Sequence, residues 1–194
     1  MRLARFFLVT AVLVALCSAA SAASPEIGSP APAFDLTTLE GKSVSLADAT
    51  KSHKAVVVIF IATKCPYSNA YNVRMRDLAA AYEKQGVMFL GINSNNTEPE
   101  AEVRSHAREH GLAFPIAKDP GNKVADLYDA KRTPEVFVVT PDGKLRYHGR
   151  IDENSEDASQ VKSPDLKNAL DALLAGRTLE KAETKAFGCT IKRA

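Results

Sequence analysis

Cys65-Pro66-Tyr67-Ser68 is the stretch of this 194-residue chain whose residue types could do chemistry. A cysteine thiolate is a strong nucleophile, and its reactivity is set by whatever lowers its pKa. Cys65 follows the β-branched run 55–62, and Pro66 opens what reads as a helix from Asn69 to Gln85. A cysteine between the carboxyl end of a strand and a helix start meets free backbone N–H groups and the positive end of the helix dipole. Lys64 adds a positive charge in the sequence next to it. Cys65 is therefore read as a nucleophile; the competing reading is an inert buried cysteine. Ser68 stands where a second cysteine of a Cys-x-x-Cys pair would be. Its hydroxyl can serve the helix start or donate to the thiolate.

Of the three cysteines, Cys17 lies in an N-terminal segment with the marks of a secretory signal. Arg2 and Arg5 precede an apolar run, and Ala20-Ser21-Ala22 offers a cleavage site. Residues 1–22 are expected to be removed, leaving a domain over 23–176 and a tail over 177–194 that carries Cys189. The expected location is secreted or periplasmic, where disulfides persist. Without Arg2 and Arg5 the basic residues number 23, equal to the acidic ones. A neutral chain with no basic tract argues against nucleic acid and against electrostatic docking on a membrane.

The positioning elements follow from periodicity. Residues 28–49 read as a β-hairpin turning at Glu40-Gly41, and 55–62 as a central strand buried on both faces. Tyr71, Met75, Leu78 and Tyr82 form one helical stripe, and 87–93 a second buried strand, making a parallel βαβ unit. Thr97 to Glu100 reads as a capping box with Pro99 in the first turn of a helix ending at Gly111. A short helix after 119–122 should turn Val124, Leu127 and Tyr128 inward. Residues 135–149 read as a hairpin around Pro141-Asp142-Gly143, with His148 pointing away from Leu145 and Tyr147. A last helix over 163–176 is capped by Ser163, with Pro164 at its first position. The order gives an α/β layered domain: a mixed sheet with helices on both faces.

With these residues in place, the chain resembles a known superfamily. "IATKCPYS" is similar to the active-site turn of the thioredoxin fold, and "RTPEVFVVTPDGKL" to its cis-proline strand and hairpin. The closer resemblance is to peroxiredoxin-like redoxins of the alkyl hydroperoxide reductase/thiol-specific antioxidant type. It rests on Gly28, Ala31, Pro32, Phe34, Leu36, Gly41 and Leu46, on "GINSN" (91–95), on "DGKL" with "GRID" (142–152), and on "GCTIK" (188–192). It implies a thioredoxin-like fold with an N-terminal β-hairpin extension, and a cis Thr133-Pro134 bond facing Cys65. It also implies thiol-disulfide exchange or peroxide reduction with no metal or organic cofactor. Protein thiols and disulfides or small peroxides would be the substrates, and an external thiol the reductant.

Three departures from the resemblance bear on activity. Val58 and Ala62 occupy the places of the peroxiredoxin Pro and Thr, with Thr63 one residue away from the latter. Ser68 replaces the second cysteine of a pair. Arg132 stands where relatives often have cysteine; it either steadies the Cys65 thiolate or is an exposed loop arginine. Cys189 is left as the only intrachain partner for Cys65: a redox partner if its Cα comes within ~7 Å of that of Cys65, otherwise a tether or an intermolecular link. The alternative to an oxidoreductase is a non-catalytic protein-binding module with structural cysteines. His106 and His110 are i, i+4 but lack a third ligand, so a metal site is not expected. The acidic run 152–157 reads as a solvated loop.

Overall fold

The computed structural model describes residues 24–193, so the expected signal segment lies outside the described residues. The centre is a five-stranded sheet in the order β5-β4-β3-β7-β8. Its strands are β3 (Ala55–Phe60), β4 (Val87–Asn93), β5 (Ile116–Lys118), β7 (Glu135–Val139) and β8 (Leu145–Gly149). β3 runs parallel to β4, and β4 to β5, whereas β7 is antiparallel to both β3 and β8. The sheet is mixed and covered on both faces, as expected.

Every residue of β3 is buried, which is why its sequence does not alternate. Val57 and Ile59 face one core, with Met75, Ala79 and Tyr82 of α3 (Asn72–Glu83) and Leu166, Ala169 and Leu170 of α6 (Asp165–Leu174). Val56, Val58 and Phe60 face the other, with Leu46 and Ala49 of α1 (Leu46–Ser52), Val124 and Ala125 of α5 (Lys123–Leu127), and Tyr128. The strand period of two thus divides one apolar run between two helical layers.

Several elements differ from the sequence reading. The N-terminal hairpin is β1 (Asp35–Thr37) with β2 (Ser43–Ser45), but it stops at Ser45 and α1 follows. Leu46, Ala49 and Thr50 lie on one helical face of α1, a spacing the short segment hid. The helix after Cys65 is two pieces, α2 (Pro66–Ala70) and α3, joined at Tyr71. β5 is three residues behind Pro115, too short for periodicity to reveal. Leu127 is exposed rather than inward. α6 begins at Asp165 with Pro164 as its N-cap, and Ser163 Oγ instead donates to Asp165 at 2.6 Å. The acidic run is not wholly solvated. Asp152 is buried and accepts from Arg74 at 2.7 Å and from the Tyr71 hydroxyl at 2.9 Å.

The expected capping box does not form. α4 (Glu100–Glu109) takes Pro99 as its N-cap without a side-chain cap bond. Glu98 turns inward instead, and its destination is the Cys65 turn.

Candidate active site

Cys65 is the N-cap of α2, five residues beyond the end of β3, and is 2% exposed. Its Sγ accepts from the Ser68 N–H at 3.3 Å and, when protonated, donates to the Thr133 carbonyl at 3.2 Å. Thr133-Pro134 is a cis peptide, as the resemblance implies, and it lies against the thiol. The Thr133 hydroxyl is buried beside the same sulfur and has no other partner among the described residues.

Cys189 reaches this point through strand pairing. β6 (Arg132–Thr133) pairs antiparallel with β9 (Cys189–Thr190), which sets Thr133 opposite Cys189. Both cysteines are free thiols, and each side chain shifts the proton affinity of the other. The backbone N–H of Cys189 favours ionisation of Cys65, and that of Tyr67 favours ionisation of Cys189. The tail is fastened on both sides of the pair. Phe187 packs edge-on against Tyr67 and Tyr71, and Ile191 is buried in the core beside Tyr128.

The two sulfurs differ in proton affinity. Burial raises that of Cys65, but hydrogen bonds from the Cys189 and Thr133 side chains and from the Ser68 and Cys189 backbones outweigh it, holding this thiol below its ordinary value. Burial, the bond to Cys65 and the negative charge there push Cys189 up to about 11. Of the two, Cys65 gives up its proton first and Cys189 holds its proton longer.

The other expected site residues take different positions. Ser68 is fully buried, and its hydroxyl accepts the Ala62 N–H at 3.1 Å; its backbone, not its hydroxyl, serves the sulfur. The Thr63 hydroxyl donates to Glu102 at 2.6 Å, and the Lys64 ammonium lies 2.9 Å from the same carboxylate. Arg132 is exposed and holds the tail, donating to the Thr190 hydroxyl at 3.0 Å and the Gly188 carbonyl at 3.4 Å. His106 and His110 lie with ring centroids 4.3 Å apart and planes tilted by 48°, and no group of three metal-ligating side chains occurs among the described residues.

Two buried carboxylates that the sequence reading missed pin the walls of the site. Glu98 accepts the N–H groups of Thr63 at 2.8 Å and Lys64 at 3.0 Å, just ahead of Cys65. Glu135 accepts those of Lys131 at 2.7 Å and Arg132 at 2.8 Å, just ahead of Thr133, and pairs with His148, which stacks on Phe137. The available signal was the polar run 93–98 at the carboxyl end of a parallel strand, where crevices form in such sheets.

Glu98 also makes the site acid-sensitive. Burial raises its pKa, but hydrogen bonds from Thr63, Asn93, Lys64 and Asn95 outweigh this and hold the carboxyl below 4.5. A group depressed on folding stabilises the fold above its unfolded pKa, and the contribution is lost as pH falls through the folded value. Denaturant midpoints should therefore drop as pH falls below 4.5, and less steeply in Glu98→Gln. Equal slopes for the two proteins would refute this assignment.

The sheet order, the cis-proline strand and the cysteine at the strand–helix junction define a thioredoxin-like domain. The thioredoxin domain of a thiol-disulfide oxidoreductase from Bacteroides vulgatus superposes with a TM-score of 0.56 at 24% identity, over 63% of this chain and 86% of that one. Residues 27–148 match the AhpC/TSA family, and the chain belongs to it. A hypothetical protein from Sinorhizobium meliloti 1021 is similar over 89% of this chain and 97% of its own, with a TM-score of 0.81 and 30% identity. The thiol-disulfide oxidoreductase ResA of Bacillus thuringiensis (strain Al Hakam) is 32% identical over 120 residues, 62% of this chain and 67% of that protein. The expected class, a thiol-based oxidoreductase, is the class of that relative.

Proposed function

We propose that the protein is an exported thiol-disulfide oxidoreductase in which Cys65 is the nucleophile and Cys189 resolves the intermediate. The observation that carries this reading is the Cys189 thiol, brought by the β6–β9 pairing to a Cys65 sulfur that accepts the Ser68 N–H and whose pKa its neighbours, Cys189 foremost, lower. The Cys65 thiolate attacks one sulfur of a substrate disulfide; a Cys65 mixed disulfide forms, and the other substrate sulfur leaves as thiolate. Forming that bond removes the negative charge beside Cys189, one cause of its raised pKa, so Cys189 then loses its proton more easily. The Cys189 thiolate attacks Cys65 Sγ and releases the second substrate thiolate. The substrate gains two electrons, and the protein is left with a Cys65–Cys189 disulfide that an external dithiol reduces.

Disulfide exchange is favoured over peroxide reduction because the Thr63 hydroxyl is engaged by Glu102, away from the sulfur. Export is supported by the signal pattern of residues 1–22 and by the disulfide substrates, which persist in oxidising compartments. Thiol counting on mature protein tests the scheme. Limiting oxidised substrate should consume both thiols of wild type together, whereas Cys189→Ser should stop at a stable adduct on Cys65. Adduct on Cys189 in Cys65→Ser at the wild-type rate would overturn it.

A further inference from the structure

Cys65 and Cys189 are 124 positions apart in the chain, and the strand pairing at Thr133 is only two residues long. A second connection runs on the other side of the pair. Glu98 is 2% exposed, and each carboxylate oxygen accepts two bonds. Oε2 takes the Thr63 N–H at 2.8 Å and Asn93 Nδ2 at 2.6 Å. Oε1 takes the Lys64 N–H at 3.0 Å and Asn95 Nδ2 at 3.0 Å. Asn95 Oδ1 then accepts the Lys192 N–H at 2.7 Å, three residues beyond Cys189, and the Asn96 N–H donates to the Lys192 carbonyl at 3.0 Å. Lys118 closes the loop from beneath, donating to Asn93 Oδ1, the Asn95 carbonyl and the Glu98 carbonyl at 2.6 to 2.7 Å.

We propose that Glu98 is a positioning residue for the thiol pair: it clamps the Cys65 turn directly and the Cys189 tail through Asn95, and so sets how readily the two sulfurs join. This rests on the two-cysteine chemistry proposed above. All four partners of the carboxylate are donors, so only an acceptor on both oxygens satisfies them. Glutamine has nearly the same shape but must turn an NH₂ group toward two of those donors, leaving buried N–H groups unpaired. Either the turn before Cys65 or Asn95 must then shift. Small displacements matter here because disulfide geometry is narrow and joining two tethered groups depends on their effective concentration.

The test is a redox titration of the full mature chain in dithiothreitol buffers, reading the Cys65–Cys189 disulfide by mass after alkylation. Wild type should form one intramolecular disulfide. Glu98→Gln should lower its equilibrium constant by ~10-fold or more, equivalent to ~30 mV for a two-electron couple. Asn95→Leu, which cuts only the arm to the tail, should shift it in the same direction. The double variant should lose no more than the larger single one, because the two residues act in series. Glu102→Gln, which touches only the side chains of Thr63 and Lys64 in this turn, should stay within about twofold of wild type. A purely structural role for Glu98 would lower the melting temperature and leave the equilibrium constant alone; that result in folded Glu98→Gln overturns the proposal. If Glu98→Gln does not fold, an unchanged constant in Asn95→Leu overturns it equally. Two thiols persisting in fully oxidised wild type would instead refute the two-cysteine reading itself.

Discussion

Cys65→Ser should reduce turnover of a model disulfide by at least ~10³-fold, because a serine hydroxyl ionises too weakly to replace a thiolate and none of the groups bonded to Cys65 is a general base. Cys189→Ala should do something different. The first exchange, which needs only the Cys65 thiolate, should persist as a single stoichiometric burst, and turnover should fail at release of the mixed disulfide. The ionisation of Cys65 should move as well. Against the burial that opposes ionisation, the Cys189 side chain is the largest favourable influence on Cys65. Its removal should raise the midpoint of the pH dependence of Cys65 alkylation, while the Ser68 N–H and Thr133 contributions remain. Iodoacetamide rates followed from pH 5 to 10 read this directly. An unchanged midpoint in Cys189→Ala would mean that the two sulfurs do not share a proton, and the division of labour between them would fall.

The fold was legible wherever burial imposes a period. The run at β3 and the stripe on α3 each report a face held against one core or the other. Leu145 and Tyr147 of β8, by contrast, read as one face with His148 on the other, lie in different cores. The pairing with β7 shifts between Val138 and Val139, which puts His148 on the side of Leu145. Elements of three to seven residues, β5 and α1, were not legible as such, since so few positions cannot define a period. At the site, Cys65 announced itself by its place between strand and helix. The cis bond at Thr133-Pro134 came from the resemblance. The roles of Thr63, Ser68 and Arg132 turn on which way short polar side chains point, and pattern does not carry that. Thr63 turns to Glu102, Ser68 to Ala62 and Arg132 to the tail. Glu98 was hidden for a related reason. Its sequence setting, Thr97 to Glu100, fits a local helix cap, and only the tertiary position of the Cys65 turn offers the carboxylate better donors. Buried polar groups answer to long-range partners, so local signals misassign them.

The placement of Cys189 depends on its neighbour Gly188, and the substitution there should have the second large effect. Gly188 has φ +137°, a conformation that side-chain-bearing residues rarely adopt. A Cβ on it would lie 2.1 Å from the Thr133 carbonyl oxygen and 2.9 Å from its carbon. These are backbone atoms of the cis-proline strand, so no rotamer change relieves the clash. Gly188→Ala must lift the tail from β6, and with it the cysteine paired opposite Thr133. Phe187 and Ile191 still anchor the tail at either end, so it should swing outward without detaching. Cys65, now 2% exposed, should react faster with reagents, and intramolecular disulfide formation should fall by ~10-fold or more as the effective concentration of Cys189 drops. Gly176→Ala separates displacement from backbone strain. Gly176 has φ +66° but nothing within 4 Å of a Cβ, so alanine there should cost about 1 kcal/mol of stability and leave both thiols unaltered. If the two substitutions alter thiol chemistry alike, the tail is not seated on the cis-proline strand in solution, and Cys189 is not held for Cys65.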